Sequence, residues 1–372
     1  MSEHEVHTRL RSAMQVAGID ALVAHSMDNV TYTAGFLVPS QASNRFRRAI
    51  AVLAGETFGC QIVVTVEAPQ ARERSRFSDV RAYDQFADDP ADTLADALIE
   101  AGAGEGRIAL ELDFLPTQDY MRLRERLPEA EFVHARDIFF DARMIKTDAE
   151  VTLLREIGAL SERVMEDALA RIQPGMKETE LFAFINNEML SAGCDAVKIQ
   201  IGSGARSGIT NCKPSSKVFE ADDVIRIEIL GDRQSYRSNI TRTAVLGAPT
   251  DEQKTIWSVL IGARNACEAM LRPGTKVPDL WATYVAKCHE GDIEPTLRFL
   301  GHGIGQTIHE EPYITDSRDI ALRPNVTHTM EPLYMMPGRM GFHVEDMYLI
   351  VEDGYEKLTG GRVPNDQLIS VG

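Results

Sequence analysis

The 372-residue sequence predicts an α/β chain of two domains, the second a duplication of one half, and three observations carry that prediction. A chain of this length exceeds one ordinary core and suits two, because domains usually run on the order of 100 to 200 residues. Its first part alternates strand-like with helical segments. Its second part repeats a Pro-Gly junction: Arg171-Ile172-Gln173-Pro174-Gly175-Met176-Lys177-Glu178-Thr179-Glu180-Leu181 is echoed by Leu271-Arg272-Pro273-Gly274-Thr275-Lys276-Val277-Pro278-Asp279-Leu280.

Taken in order, a helix is expected over residues 4–17, then short buried strands at 21–24, 49–53 and 61–66, a helix over 90–101 and a strand at 108–110. Near Arg143-Met144-Ile145-Lys146-Thr147-Asp148 the pattern changes, and Thr147 or Asp148 caps a long amphipathic helix over 149–172. The domain boundary falls there, giving domains 1–142 and 143–372. In each copy of the repeat Pro-Gly ends one helix and an acidic or hydroxyl residue starts the next. Two copies about a hundred residues apart are too few and too long for a solenoid, so they read as a pseudo-twofold pair of half-domains. Strands follow each helical pair, at 224–230, 239–246, 326–335 and 343–351.

Composition excludes several classes. Apolar residues make up 44% and charged residues 26%, as in ordinary globular chains. A formal net charge of −17 repels a phosphate backbone, so no nucleic-acid partner is expected. The small basic cluster Arg45, Arg47 and Arg48, with Phe46 the one aromatic among them, suits a small anion or is a solvated strand end. The N-terminal residues lack the basic start and apolar core of a signal peptide, and no run reaches the roughly 20 apolar residues of a membrane helix. Five scattered cysteines give neither zinc spacing nor a disulfide framework. A cytoplasmic protein without a membrane partner is expected.

Polar residues interrupt the later strands at Glu228, Asn239, Glu331 and Glu345. Each is costly to bury unless paired, hydrogen-bonded or metal-bound. One such residue is usually a satisfied structural group; several sharing a sheet with His302 point to a site.

The stretch Gly301-His302-Gly303-Ile304-Gly305-Gln306-Thr307-Ile308-His309-Glu310-Glu311-Pro312, followed by Met330-Glu331-Pro332 and Val344-Glu345-Asp346, resembles the motifs of the creatinase, aminopeptidase P, prolidase and methionine aminopeptidase superfamily. The likeness covers nearly the whole chain. It implies a pita-bread catalytic domain with duplicated halves behind a smaller creatinase-type α/β domain. It further implies a metal-type histidine at His302, a substrate histidine at His309 and two carboxylates at Glu331 and Glu345.

The departures concern the metal. Metal-dependent members of this superfamily hold two cations with two Asp, one His and two Glu, whereas Glu228 and Asn239 stand at the two Asp positions here. Asn239 offers only a neutral carbonyl oxygen. Three carboxylates undercompensate two divalent ions, so no dinuclear centre is expected. A metal-free site is expected ahead of a single Mn, Zn, Fe or Co class ion at Asn239, His302, Glu331 and Glu345. Creatinase, within the superfamily, hydrolyses without metal, but the position of its base histidine is taken by Asn211. Phe46 and Arg48 fall where creatinase reaches into a neighbouring subunit to hold substrate, which implies a homodimer with composite sites.

The expected function is hydrolysis of a C–N bond of amide, ureide or guanidino type in a small carboxylate-bearing substrate. His302, His309, Glu331 and Glu345 are the catalytic candidates; Asn211, Glu228, Phe46 and Arg48 are the substrate-binding ones. One glutamate or His302 would activate water while His309 donates to the developing oxyanion. Alternatives are a one-ion Xaa-Pro peptidase and an inactive binding protein. Cys212 could act as a nucleophile but is more often a packing residue.

Overall fold

A computed structural model describes residues 3–44, 46–363 and 365–372. The chain divides into two compact units, Met1–Arg143 and Met144–Gly372.

The first unit is built on one six-stranded sheet in the order Asp79–Tyr83, Phe58–Val64, Ala49–Ala54, Ala21–Ala24, Arg107–Leu110, Glu131–His134. Ala49–Ala54 runs antiparallel to both its neighbours, and the remaining pairings are parallel. The strands at the centre read as unbroken apolar runs because both faces are covered, one by the core around Leu10, Val30 and Phe139, the other by that around Leu94, Leu98 and Ile108. The strand expected at 61–66 starts three residues earlier and stops at Val64, where the chain turns into the 3₁₀ segment Thr65–Glu67.

In the second unit the repeat is visible in the backbone. Gly175 and Gly274 adopt the same φ of 89°, a left-handed conformation that favours glycine. Each precedes a 14-residue helix, Glu178–Ser191 and Val277–Glu290. The preceding residue of each, Lys177 or Lys276, bridges a matching loop residue, Val218 or Ala321. Thr147 and Thr250 form capping boxes with Glu150 and Gln253, starting the two long helices Asp148–Arg171 and Asp251–Glu268.

Each half contributes a sheet. The first has Ala196–Ser203, Val224–Arg233, Ile240–Leu246 and Ile369–Val371, with Tyr236–Arg237 attached. The second orders Glu310–Ile314, Gly301–Gly303, Thr327–Met330, Asp346–Val351 and Gly354–Lys357. Period-two alternation sorts the first sheet's side chains. Ile199, Ile201, Ile225, Ile227, Ile229 and Ile240 pack against the helices, and the register sets Gln200, Glu228 and Thr241 in one row on the other face.

The strands expected at 326–335 and 343–351 are each broken. Thr327–Met330 and Leu333–Met336 are separated by Glu331-Pro332, and Met340–His343 ends before Glu345. Pro332 has no N–H for a ladder. The Glu331 N–H turns to Leu300 O at 2.7 Å and the Glu345 N–H to Thr241 O at 3.1 Å. Thr241 and Glu345 thereby form the bridge between the two halves, and the carboxylates sit at the breaks.

Candidate active site

His302 is fixed by the glycines beside it. A Cβ on Gly301 would lie 2.0 Å from Thr329 O, and one on Gly303 would lie 2.2 Å from Glu311 O, so neighbouring strands approach too closely for any side chain there. The loop after them is held by Lys146, whose ammonium pairs with Glu310 at 2.6 Å, both side chains 1% exposed. Thr307 Oγ1 donates to the same carboxylate at 3.1 Å. Thus anchored, His309 stacks on His302 with ring centroids 3.8 Å apart.

His302, Glu331 and Glu345 converge: one ligand atom from each lies within 4.8 Å of the others. His302 Nε2 is 3.2 Å from Glu331 Oε1 and 3.7 Å from Glu345 Oε1. His343, from the strand before Glu345, adds a second imidazole 3.5 Å from Glu331 Oε2 and 3.9 Å from Glu345 Oε2. From the first half, Asn239 Nδ2 donates to Glu345 Oε1 at 2.8 Å and Thr241 Oγ1 donates to Glu345 Oε2 at 3.1 Å. Glu228 lies opposite Thr241 in the ladder, and its charge is felt at His302 and Glu345.

The groups set one another's protonation. Burial alone would raise the Glu331 pKa, but His302 and His343 outweigh it and bring the value down to about 2. Burial works against the His302 imidazolium, yet Glu331 overcomes it and the pKa rises above the ordinary value. Burial, reinforced by Glu331 and Glu228, lifts Glu345 well above the carboxylate range. Burial lifts Glu228 as well, against the pull of His343 and Arg226. Burial and the neighbouring His302 hold His309 at about 4. Glu331 is therefore the carboxyl most strongly held in its ionised form, beside a His302 whose protonated form it favours and two carboxyls, Glu345 and Glu228, that burial pushes the other way.

His302 Nε2, Glu331 Oε1, Asn239 Oδ1 and both ring nitrogens of His343 are buried without a hydrogen-bond partner, since the 3.2 Å approach of His302 to Glu331 is off the hydrogen-bonding angle. Orphaned polar atoms this close together are costly without a guest. One nitrogen, carboxylate oxygens and an amide oxygen fit a single divalent cation.

Each remaining sequence candidate is placed within its own unit. Asn211 is exposed in the turn after Gly204–Gly208 and lines a cavity of about 710 Å³ that also takes in Gln200. Cys212 beside it is buried, and burial raises its thiol pKa, which favours the packing role. All five cysteines are buried and free of disulfides. Phe46 is 76% exposed in the first unit, where Arg48 Nε pairs with Asp119 at 2.7 Å; Arg45 lies outside the described residues. Among the described residues no helix is long and apolar enough to cross a membrane. Thr241 and Gln200 were missed by motif reading; the signal that finds them is their shared strand face with Glu228.

The duplicated halves, the bridge between them and the His-Glu-Glu convergence define a pita-bread hydrolase of C–N bonds. The chain belongs to metallopeptidase family M24, which it matches over residues 152–352, and residues 7–145 match the creatinase/prolidase N-terminal domain. It is 26% identical over 366 residues to the putative dipeptidase YkvY of Bacillus subtilis, covering 97% of this chain and 98% of that protein. Among solved structures, X-Pro aminopeptidase from Thermotoga maritima superposes with a TM-score of 0.85 at 27% identity over 98% of this chain and 99% of that one. Dipeptidase PepE from Mycobacterium ulcerans gives 0.87 at 26% identity over 100% and 99%.

Proposed function

We propose that this protein hydrolyses the C–N bond of small carboxylate-bearing amides, the peptide bond of a dipeptide included, at a centre that differs from a two-cation site. The observation supporting this reading is the buried convergence of His302, Glu331, His343 and Glu345 facing the orphaned Asn239 carbonyl. A catalytic constellation explains why so many ionisable groups are crowded in one place at the expense of stability.

In this reading Glu331 Oε1 and Asn239 Oδ1 orient the attacking water, and its proton passes to the Glu331 carboxylate. Glu331 favours the protonated form of His302, which suits that ring to stabilise negative charge rather than to act as base. His309, neutral at physiological pH, donates its N–H to the developing oxyanion. Glu345, whose neutral form burial favours, supplies the proton that the leaving nitrogen needs. Asn239, His302, Glu331 and Glu345 are the residues that would hold a divalent ion, which supplies acidified water and carbonyl polarisation when bound.

The donor set also favours a second reading, a one-ion Xaa-Pro dipeptidase, the activity named for relatives such as that of Pyrococcus furiosus, 30% identical over 240 residues. The test is hydrolysis of a panel of Xaa-Pro dipeptides, N-acyl amino acids, ureides and guanidino acids, with metal content per chain measured on the same preparation. Cleavage of dipeptides tracking one bound ion selects the second reading. Cleavage insensitive to chelation supports the metal-free route, and no cleavage of any member refutes both.

A further inference from the structure

The cavity beside the catalytic face carries a charge pattern unlike the rest of the chain. The sequence holds 56 acidic residues against 39 basic ones, yet Lys198 and Lys213 both line this cavity and no carboxylate does. Among the described residues neither ammonium has an ion-pair partner. Phe182 and Val197 give it an apolar wall, and Asn211 and Gln200 give it amide groups. Gln200 is only 6% exposed and its Oε1 is without a partner, an unsatisfied group in the cavity's lining.

Strand register ties part of the cavity's lining to the catalytic face. Gln200 lies directly opposite Glu228, two residues from Lys198 on the same strand face. Lys198 is close enough for its charge to act on both Glu228 and His309. The loop bearing Lys213 is fixed rather than loose. Glu178, fully buried, accepts from Ser203 N and Oγ at 2.9 and 2.8 Å and from Ser215 N and Oγ at 2.9 and 2.7 Å, clamping both ends. Arg206 Nη2 donates to Lys213 O at 2.6 Å, and Arg226 Nη2 donates to Thr210 O at 2.7 Å. A cavity of about 710 Å³ suits a small molecule.

We propose that Lys198 and Lys213 form a subsite for the substrate's carboxylate, with the apolar wall taking the side chain next to it and Gln200 receiving an N–H of the ligand. The subsite rests on the reading of the protein as a hydrolase of carboxylate-bearing amides and gives that reading its specificity. It places anion recognition within the catalytic unit, on residues other than Arg48, which already holds Asp119.

The test measures binding, so it does not depend on turnover. N-acetyl-L-proline and its neutral counterpart N-acetyl-L-prolinamide are titrated by calorimetry into the wild type, Lys198→Gln, Lys213→Gln, Lys198→Arg and the control Lys254→Gln, whose side chain is 60% exposed on the helix Asp251–Glu268. The wild type should prefer the carboxylate. Each Gln variant should weaken it about tenfold, the loss of one charge-assisted hydrogen bond, without changing the amide. Lys198→Arg and Lys254→Gln should keep the preference. Equal affinity of the wild type for both probes, or a preference surviving in the Lys198→Gln/Lys213→Gln double variant, overturns the subsite. If the preference depends on both lysines while no amide is cleaved, the hydrolase reading falls and the subsite stands.

Discussion

The two halves of the second unit share a backbone plan but not a chemistry. From Met144 to Leu246 there is no histidine, and the site-facing groups are Lys198, Gln200, Glu228, Asn239 and Thr241. The half that follows supplies His302, His309, His343, Glu331 and Glu345. Duplication leaves two copies free to diverge, and here one carries the imidazoles with Glu331 and Glu345, while the other carries amides, a hydroxyl, a lysine and the single carboxyl of Glu228. In the proposed reading that difference becomes a division of labour, with chemistry from one sheet and grip from its twin.

That division can be broken experimentally. The largest effect is expected from Glu331→Gln, which should lower kcat about 10³-fold on whichever panel substrate is cleaved, with His302→Gln close behind. If Glu228→Gln lowers kcat as steeply, the halves are not specialised. Asn239→Asp should come next. It restores a carboxylate to the first half, so metal analysis should show a higher occupancy of divalent cation. With chelator present, the new charge beside Glu345 should reduce unfolding stability by about 1–3 kcal/mol. Unchanged occupancy together with unchanged stability would remove the charge-deficit argument. Glu228→Gln should raise KM by up to about tenfold and leave kcat near wild type, the mark of a binding group.

The last effect is on acid stability and leaves the catalytic comparison untouched. Burial holds the His328 pKa at about 4, below the 6.5 of an exposed histidine. Below pH 6.5 the unfolded chain takes a proton that the folded chain refuses, so stability falls as pH drops from about 6.5 towards 4. The slope is up to about 1.4 kcal/mol per pH unit and levels off below the folded value. His328→Gln should flatten part of that slope in urea titrations. A slope unchanged by the substitution would assign the sensitivity to other groups, His25 in the first unit foremost, held at about 3 by burial and Arg48.

Much of the fold was legible because punctuation is local. The Pro-Gly repeats led to two glycines with one φ and two helices of one length, and the Thr147 cap needed only its own sequence neighbourhood. His302 and Glu331 were legible because glycines and a proline frame them, and Glu345 because it interrupts an otherwise strand-like run. The strand breaks at Glu331 and Glu345 were not, since apolar residues on either side read as continuous strands. Nor was the nearness of Thr241 and Gln200 to Glu228, which depends on ladder register between distant segments. The Lys198 and Lys213 pairing escaped because a loop clamped by Glu178 brings them to one cavity.

The parallel packing of His302 and His309, 3.8 Å apart with their planes 15° from parallel, has a spectroscopic consequence. Each ring lies in the shielding cone of the other, so the carbon-bound protons of both should resonate upfield of ordinary imidazole signals. A ligand that wedges the rings apart moves those lines back, which gives the protein its own intrinsic reporter of occupancy, readable before any substrate for it is in hand.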